Sequence, residues 1–240
     1  MFLRIGILIV LFLFSNHLMA EDKSPWTHES EASIVKVDGN TTSDSYSAKQ
    51  KTTYSFTQNL ISTSARYLQT KAGSLETAKQ WGASLRYERE LSDQWAIFLQ
   101  LEAESDFYAG YIQRDNTDLG GKYYFTRTDD ETFFAEAGLR YVKTLFQKPT
   151  PASFATAGRL YTEYSKKLSN TVSGKLWFEY LPNFKDSQAY LINYEPSLSV
   201  MMNQIFSLKV AYLIKYHNKT TTPHEKKEDR TFTTALVAKF

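Results

Sequence analysis

The chain has 240 residues, a net charge of +2 at pH 7, 42% hydrophobic and 15% aromatic residues, and no cysteine. Without cysteine there is no disulfide framework and no thiol chemistry, and a nearly neutral chain has no bulk charge with which to hold nucleic acid. The mean hydropathy of −0.42 argues against a helical membrane protein but not against a transmembrane β-barrel, whose strands alternate lipid-facing and lumen-facing residues and so average to polar.

Residues 1–20 read as a secretory signal peptide. Arg4 supplies the positive start, Ile5 to Phe14 an apolar core too short to span a bilayer, and Leu18-Met19-Ala20 the cleavage site. The competing reading is an uncleaved anchor helix. Residues 21–28 then form a loose periplasmic lead-in, and residues 29–240 the folded domain.

Twelve strands follow. The first runs from Glu29 to Val37 with ambiguous facing, before a turn at Asp38-Gly39-Asn40-Thr41. Ser45–Phe56 and Asn59–Gln69 meet at the tight link Thr57-Gln58. Thr70 to Thr77 reads as a longer polar loop. Gln80–Leu91 sets Trp81, Ala83, Leu85 and Tyr87 against Arg86 and Glu88. Gln94–Glu104 sets Trp95, Ile97, Leu99 and Leu101 against Gln100, Glu102 and Glu104. Tyr111–Phe125, Thr132–Lys143, Phe154–Lys166, Val172–Tyr180, Ala189–Met201 and Gln204–Tyr216 alternate in the same way. Pro196 dissents, because it has no N–H to give a ladder. After the longest loop, His217 to Asp229, the final stretch Arg230–Phe240 places Phe232, Leu236 and Phe240 on one face and ends on an aromatic.

Tight links near 57, 92, 128, 169 and 202 alternate with mostly longer ones near 73, 107, 148, 184 and 223. Short periplasmic turns, longer outer loops and an even strand number are the pattern of an outer-membrane barrel. The fold expected is therefore an all-β, antiparallel transmembrane β-barrel of about 12 strands following an N-terminal signal peptide. The last strand has to pair with the first, because an open sheet edge cannot exist in lipid. Phe240 resembles the terminal assembly signal read by the barrel-assembly machinery.

The chain also resembles the domain-of-unknown-function family 481, described as salt-induced outer-membrane proteins. Val37-Asp38-Gly39-Asn40-Thr41, Glu104-Ser105-Asp106-Phe107 with Arg114, Gly120-Gly121-Lys122-Tyr123, Glu136-Ala137-Gly138-Leu139-Arg140-Tyr141, and Pro223 through Asp229 with the final Phe240 carry the likeness over roughly residues 29–240. It implies an outer-membrane location and no established biochemical activity.

Alternation sends one set of charged residues into the lumen. The basic members are Arg66, Arg86, Arg114, Lys122, Arg140, Arg159, Lys175, Lys209 and Lys215. The acidic members are Glu88, Glu102, Glu104, Asp118, Glu136, Glu163, Glu179 and Glu195. Such a lining suits a narrow passive channel for ions or small polar solutes, with a tie to salt or osmotic stress implied by the resemblance. The alternative is a structural or envelope-binding barrel whose inward charges pair and fill the interior. The nearly balanced signs predict no strong ion selectivity. A hydrolase needs a placed histidine. His17 lies in the signal peptide, His28 in the lead-in, and His217 and His224 share a loop in which Glu225 and Asp229 suggest at most a metal or acid–base site. Asp115, Asn116 and Asp118 read as a polar strand end or a weak cation site. The sequence thus predicts no enzyme, no metal and no cofactor. The expected partners are outer-membrane lipid and lipopolysaccharide, the latter through Lys219, Lys226, Lys227 and Arg230, with the assembly machinery acting during biogenesis on a monomer.

Overall fold

The computed structural model describes residues 24–37, 42–147, 150–219 and 227–240. The strands are β1 (Trp26–Val37), β2 (Ser43–Phe56), β3 (Asn59–Ala72), β4 (Leu75–Glu90), β5 (Trp95–Asp106) and β6 (Tyr111–Arg127). They continue as β7 (Glu131–Phe146), β8 (Ser153–Lys167), β9 (Val172–Leu181), β10 (Leu191–Met201), β11 (Phe206–His217) and β12 (Glu228–Lys239). Each pairs antiparallel with its sequence neighbours, and β12 returns to β1, so the sheet is a closed barrel.

The alternation read from the sequence sets the inside and outside of this barrel. Every strand from β4 to β12 sends at least one leucine outward, among them Leu99 at 43% and Leu119 at 62% exposure. A water-soluble protein does not present a continuous apolar girdle of this kind; hydrocarbon is the solvent that suits it. Outward aromatics rim both ends. At the short-turn end Trp95, Tyr123, Phe125, Phe133 and Tyr164 run side by side, with ring centroids 4.6–6.0 Å apart. At the other end Tyr180, Tyr190 and Tyr216 do the same at 5.8 and 6.2 Å. Amphipathic rings in two belts match the two interfaces of a bilayer.

Several boundaries differ from expectation. β1 begins at Trp26, so Trp26, Thr27 and His28 belong to the strand and not to the lead-in. The polar loop expected at Thr70 to Thr77 is absent. β3 and β4 continue through it to a turn at Gly73 and Ser74, where Gly73 takes φ +61° and a bulge lies between Thr70 and Lys71. Glycine permits that left-handed backbone at no steric cost. His217 ends β11 and pairs with Leu191 instead of lying in a loop. The turn at Asp38-Gly39-Asn40-Thr41, and His17 and His224, lie outside the described residues.

Pro196 stays inside β10 and keeps its register opposite Leu176 of β9. On the β11 side the ladder lapses at Glu195 and Pro196, then resumes at Ser197 opposite Ala211 without a slip. The missing N–H therefore opens a local gap and no bulge.

Closure rests on a short seam. β1 and β12 pair from Glu29 opposite Lys239 to Ala32 opposite Leu236. Beyond it, the His28 N–H donates to the Phe240 carbonyl at 2.7 Å and the Phe240 N–H to the His28 carbonyl at 3.1 Å. The two rings lie 5.6 Å apart. Deleting Phe240 is expected to remove both bonds, at about 1 kcal/mol each. The check is a lower thermal midpoint for loss of the compact, fast-migrating form on unheated gels, with the folded form still present at low temperature.

Candidate functional site

The site is the inner wall. The register brings sixteen of the seventeen charged residues singled out in the sequence, all but Lys215, into ion pairs that form separate groups among the described residues. The largest spans β4 to β9. Arg86 reaches Glu88 on its own strand at 2.8 Å and Glu136 of β7 at 2.7 Å. Glu136 also takes Arg159 of β8 at 2.7 Å. Arg159 contacts Glu179 of β9 at 2.8 Å and Asp118 of β6 at 3.6 Å. Arg140 grips Asp118 with two N–H donors at 2.6 and 2.8 Å and touches Glu179 at 3.3 Å. Lys122 completes the set on Glu88 at 3.1 Å. The cations Arg86, Lys122, Arg140 and Arg159 thus face the carboxylates Glu88, Asp118, Glu136 and Glu179, and the group is electrically neutral. Arg86 to Glu136 skips two strands, so the bond is a strut across the lumen. Planar, forked guanidinium groups suit such multiple carboxylate contacts better than ammonium groups do.

Beneath the strut lies a ring. Phe98 of β5 is 2% exposed. The Arg86 guanidinium stacks over it at 4.0 Å, and Arg159 sits at 5.8 Å. It fits because the wall beside it carries paired glycines, Gly120 and Gly138. A Cβ on Gly120 would meet the Phe98 ring at 2.8 Å and the Ala137 carbonyl at 2.5 Å. The ring covers two strands and carries the cations on its face. Further aromatics, Tyr124, Phe134, Tyr161 and Trp177, extend this packed wall from β6 to β9 with centroids 5.6–6.1 Å apart. Phe98, Tyr124 and Phe134 carry no charge, and their even-numbered parity beside Glu102, Lys122 and Glu136 is the sequence signal that places them on this wall.

A second group lies nearer the outer mouth. Arg66 of β3 crosses β4 to reach Glu102 at 2.6 Å and Glu104 at 2.5 Å on β5. It passes over Gly82, where a Cβ would stand 2.7 Å from the guanidinium carbon. Arg114 joins at 3.6 Å from Glu104. Smaller pairs complete the wall: Lys175 with Glu163 at 2.9 Å, and Lys209 with Glu31 at 2.7 Å and Glu195 at 3.9 Å. Lys215 sits opposite Asp229 in the ladder, with no ion pair recorded for it among the described residues. Lys49, Lys51, Glu29 and Glu31 are also inward. The polar lipid face of β1 and β2 had hidden their parity.

Other expected sites dissolve. Asp115, Asn116 and Asp118 do not form a cluster, since Asp115 points outward beside Gln113 while Asp118 is buried against Arg140. His28 bonds Thr52 on the outer face, at 3.0 Å. In the outer loops Lys219 donates to Asp186, which holds that carboxyl below its ordinary range, and at the start of β12 Arg230 is engaged by Glu228.

A closed barrel with an apolar outside, two aromatic belts and a charged inside defines a transmembrane β-barrel of the porin-like class. The chain belongs to the family of proteins of unknown function DUF481, whose model matches residues 30–240. No curated protein matches the sequence. Among solved structures it is similar to the NanC porin, at 10% identity over 88% of this chain and 98% of that one, with a TM-score of 0.56. It is also similar to an outer membrane channel from Pseudomonas putida F1, at 10% identity over 90% and 94% of the two chains, with a TM-score of 0.53. At such identities the likeness is one of fold.

Two outcomes follow from the packed wall. Arg159→Ala leaves Glu136, Glu179 and Asp118 short of a partner and is expected to cost about 3–5 kcal/mol, read as a lower urea midpoint for the detergent-folded barrel. Gly120→Ala forces Phe98 and the neighbouring backbone apart. It is expected to cost about 1–3 kcal/mol, and Gly121→Ala, with only one atom near its added Cβ at 3.9 Å, much less.

Proposed function

We propose that this protein is a passive, narrow channel of the outer membrane for ions or small polar solutes, and not an enzyme. The observation that carries the reading is water-accessible space beside inward side chains. Lys49, Arg66 and Lys175 project into the barrel, yet their side chains are 40%, 42% and 43% exposed. By contrast, the ion-pair net around β6 to β8 is closed, with Arg140 at 10% and Arg159 at 7%. The packed net narrows the lumen, and Lys49, Arg66 and Lys175 border the space that remains. The printed descriptions of the similar structures, a porin and an outer membrane channel, support the same class.

In this reading residues 1–20 direct export, both ends of the barrel chain lie on the periplasmic side, and lipid and lipopolysaccharide surround the outer face and loops. The assembly machinery reads Phe240. A route for small solutes also fits the tie to salt or osmotic stress.

The test is single-channel conductance of the refolded mature barrel in a planar bilayer. Discrete steps that scale with salt are expected. A folded barrel that stays silent would mean that the inward charges fill the interior, and the protein would then be structural. In cells, Phe240→Ser is expected to lower the amount assembled in the outer membrane several-fold while detergent refolding proceeds, as measured by surface protease protection against refolding yield.

A further inference from the structure

We infer that the open side of the lumen carries an anion-binding subsite, formed by Lys51 of β2 and Lys175 of β9, that takes small carboxylate-bearing solutes and makes the channel anion-selective. This rests on the channel reading and adds the sign of the solute to it.

The argument is one of pairing, not of totals. From Glu29 and Glu31 on β1 round to Glu195 on β10, each inward carboxylate between the two mouths has a cationic nitrogen within 3.9 Å. Lys51 has no carboxylate in ion-pair range among the described residues. Its ladder neighbour Glu29 is taken by Lys239 at 2.6 Å. Its other ladder neighbour is Ser64, a neutral hydroxyl bonded to Ser84 at 2.7 Å. The fixed charge left over in the middle of the lumen is therefore positive.

Lys175 stands on the far wall. It holds Glu163 at 2.9 Å and still keeps 43% of its side chain open to water. The charges of Lys51, Lys175 and Glu163 lie close enough across the gap to act on one another. The Lys51 ammonium is unneutralised, both side chains are exposed, and β2 and β9 stand five strands apart round the twelve-strand ring, on nearly opposite walls. A carboxylate passing between them can accept from both, with the hydroxyls of the β2–β3 wall, Thr53 and Ser62, as further donors. A cation meets the unpaired Lys51 charge first and finds each carboxylate already occupied. In a confined lumen such a fixed charge concentrates counter-ions. Opposed ammonium groups also repel when the space is empty, so an anion between them relieves a cost, and no equivalent relief exists for a cation.

The experiment is the reversal potential across a KCl gradient, followed by titration of citrate on the trans side. The wild-type barrel is expected to pass chloride over potassium by about threefold or more, within the effect of a local field. Citrate should produce transient blocks. Lys51→Gln should bring the ratio close to one and shorten the blocks, and Lys51→Glu should invert the preference. Lys51→Arg should retain it. Lys51→Gln removes charge without adding any, so it serves if Lys51→Glu fails to fold, and folding of each is checked by gel mobility. Steps of normal size with cation preference, or selectivity indifferent to Lys51→Gln, would overturn the subsite and leave the channel standing. A folded wild-type barrel without steps would overturn both.

Discussion

Hydrocarbon offers no hydrogen-bond partner, so every backbone N–H and C=O at that depth has to be satisfied by another strand. Everything else in this molecule depends on that closure. It is completed over the shortest ladder in the sheet, four register positions between β1 and β12 plus the two bonds between His28 and Phe240. Because side chains alternate with a period of two, closure also decides the inside and the outside. A slip of one residue at the seam would turn Glu29 and Glu31 into lipid. The ion pairs of Glu29 with Lys239 and of Glu31 with Lys209 stand at this seam and lock the register that the backbone alone leaves free.

Inside, the wall is divided. From β4 to β9 a neutral net of guanidinium and carboxylate groups lies over aromatic rings, and paired glycines give Phe98 the depth it needs. On β2 and β3 the inner surface is mostly Ser, Thr and Lys, with Lys49 and Arg66 open to water, while on β10 to β12 the inward Glu195, Ser197, Ala211, Ala235 and Val237 are buried. Buried ion pairs seldom add much stability over apolar packing, but they are costly to break singly. Their value here is geometric. Arg86 and Glu136 tie β4 to β7 across the lumen and fix how far the walls stand apart, and the width of the remaining aperture follows.

Much of this was readable in the residues. The twelve strands and their antiparallel order follow from period-two alternation, which is strong wherever leucine and charge share a strand, as in β4, β5 and β7. The reading weakened where the lipid face is itself polar. On β1 and β2 the outward residues include His28, Ser30, Gln50 and Thr52, bonded to one another along the surface, so hydropathy does not distinguish the faces and Lys49 and Lys51 went unassigned. It also failed at Thr70 to Thr77, where polar composition suggested a loop. There the strands outrun the bilayer into water, and polarity no longer reports on backbone conformation. Which charges pair was beyond any pattern, because Arg86 finds Glu136 through barrel curvature and not through sequence spacing.

That last point bears on what a balanced lumen can do. The nine basic and eight acidic residues that the sequence alone assigns to the lumen, taken as a count, suggest indifference to the sign of a solute. An ion in transit does not respond to the count. It responds to charge that is both accessible and unneutralised, and a guanidinium held between two carboxylates against an aromatic ring is neither. Once the paired groups are set aside, what faces the open water midway through the barrel is the Lys51 ammonium, with Lys175 across from it. The same pairing that holds the walls together therefore removes the carboxylates from the permeation path, and a lumen of nearly zero net charge acquires a sign.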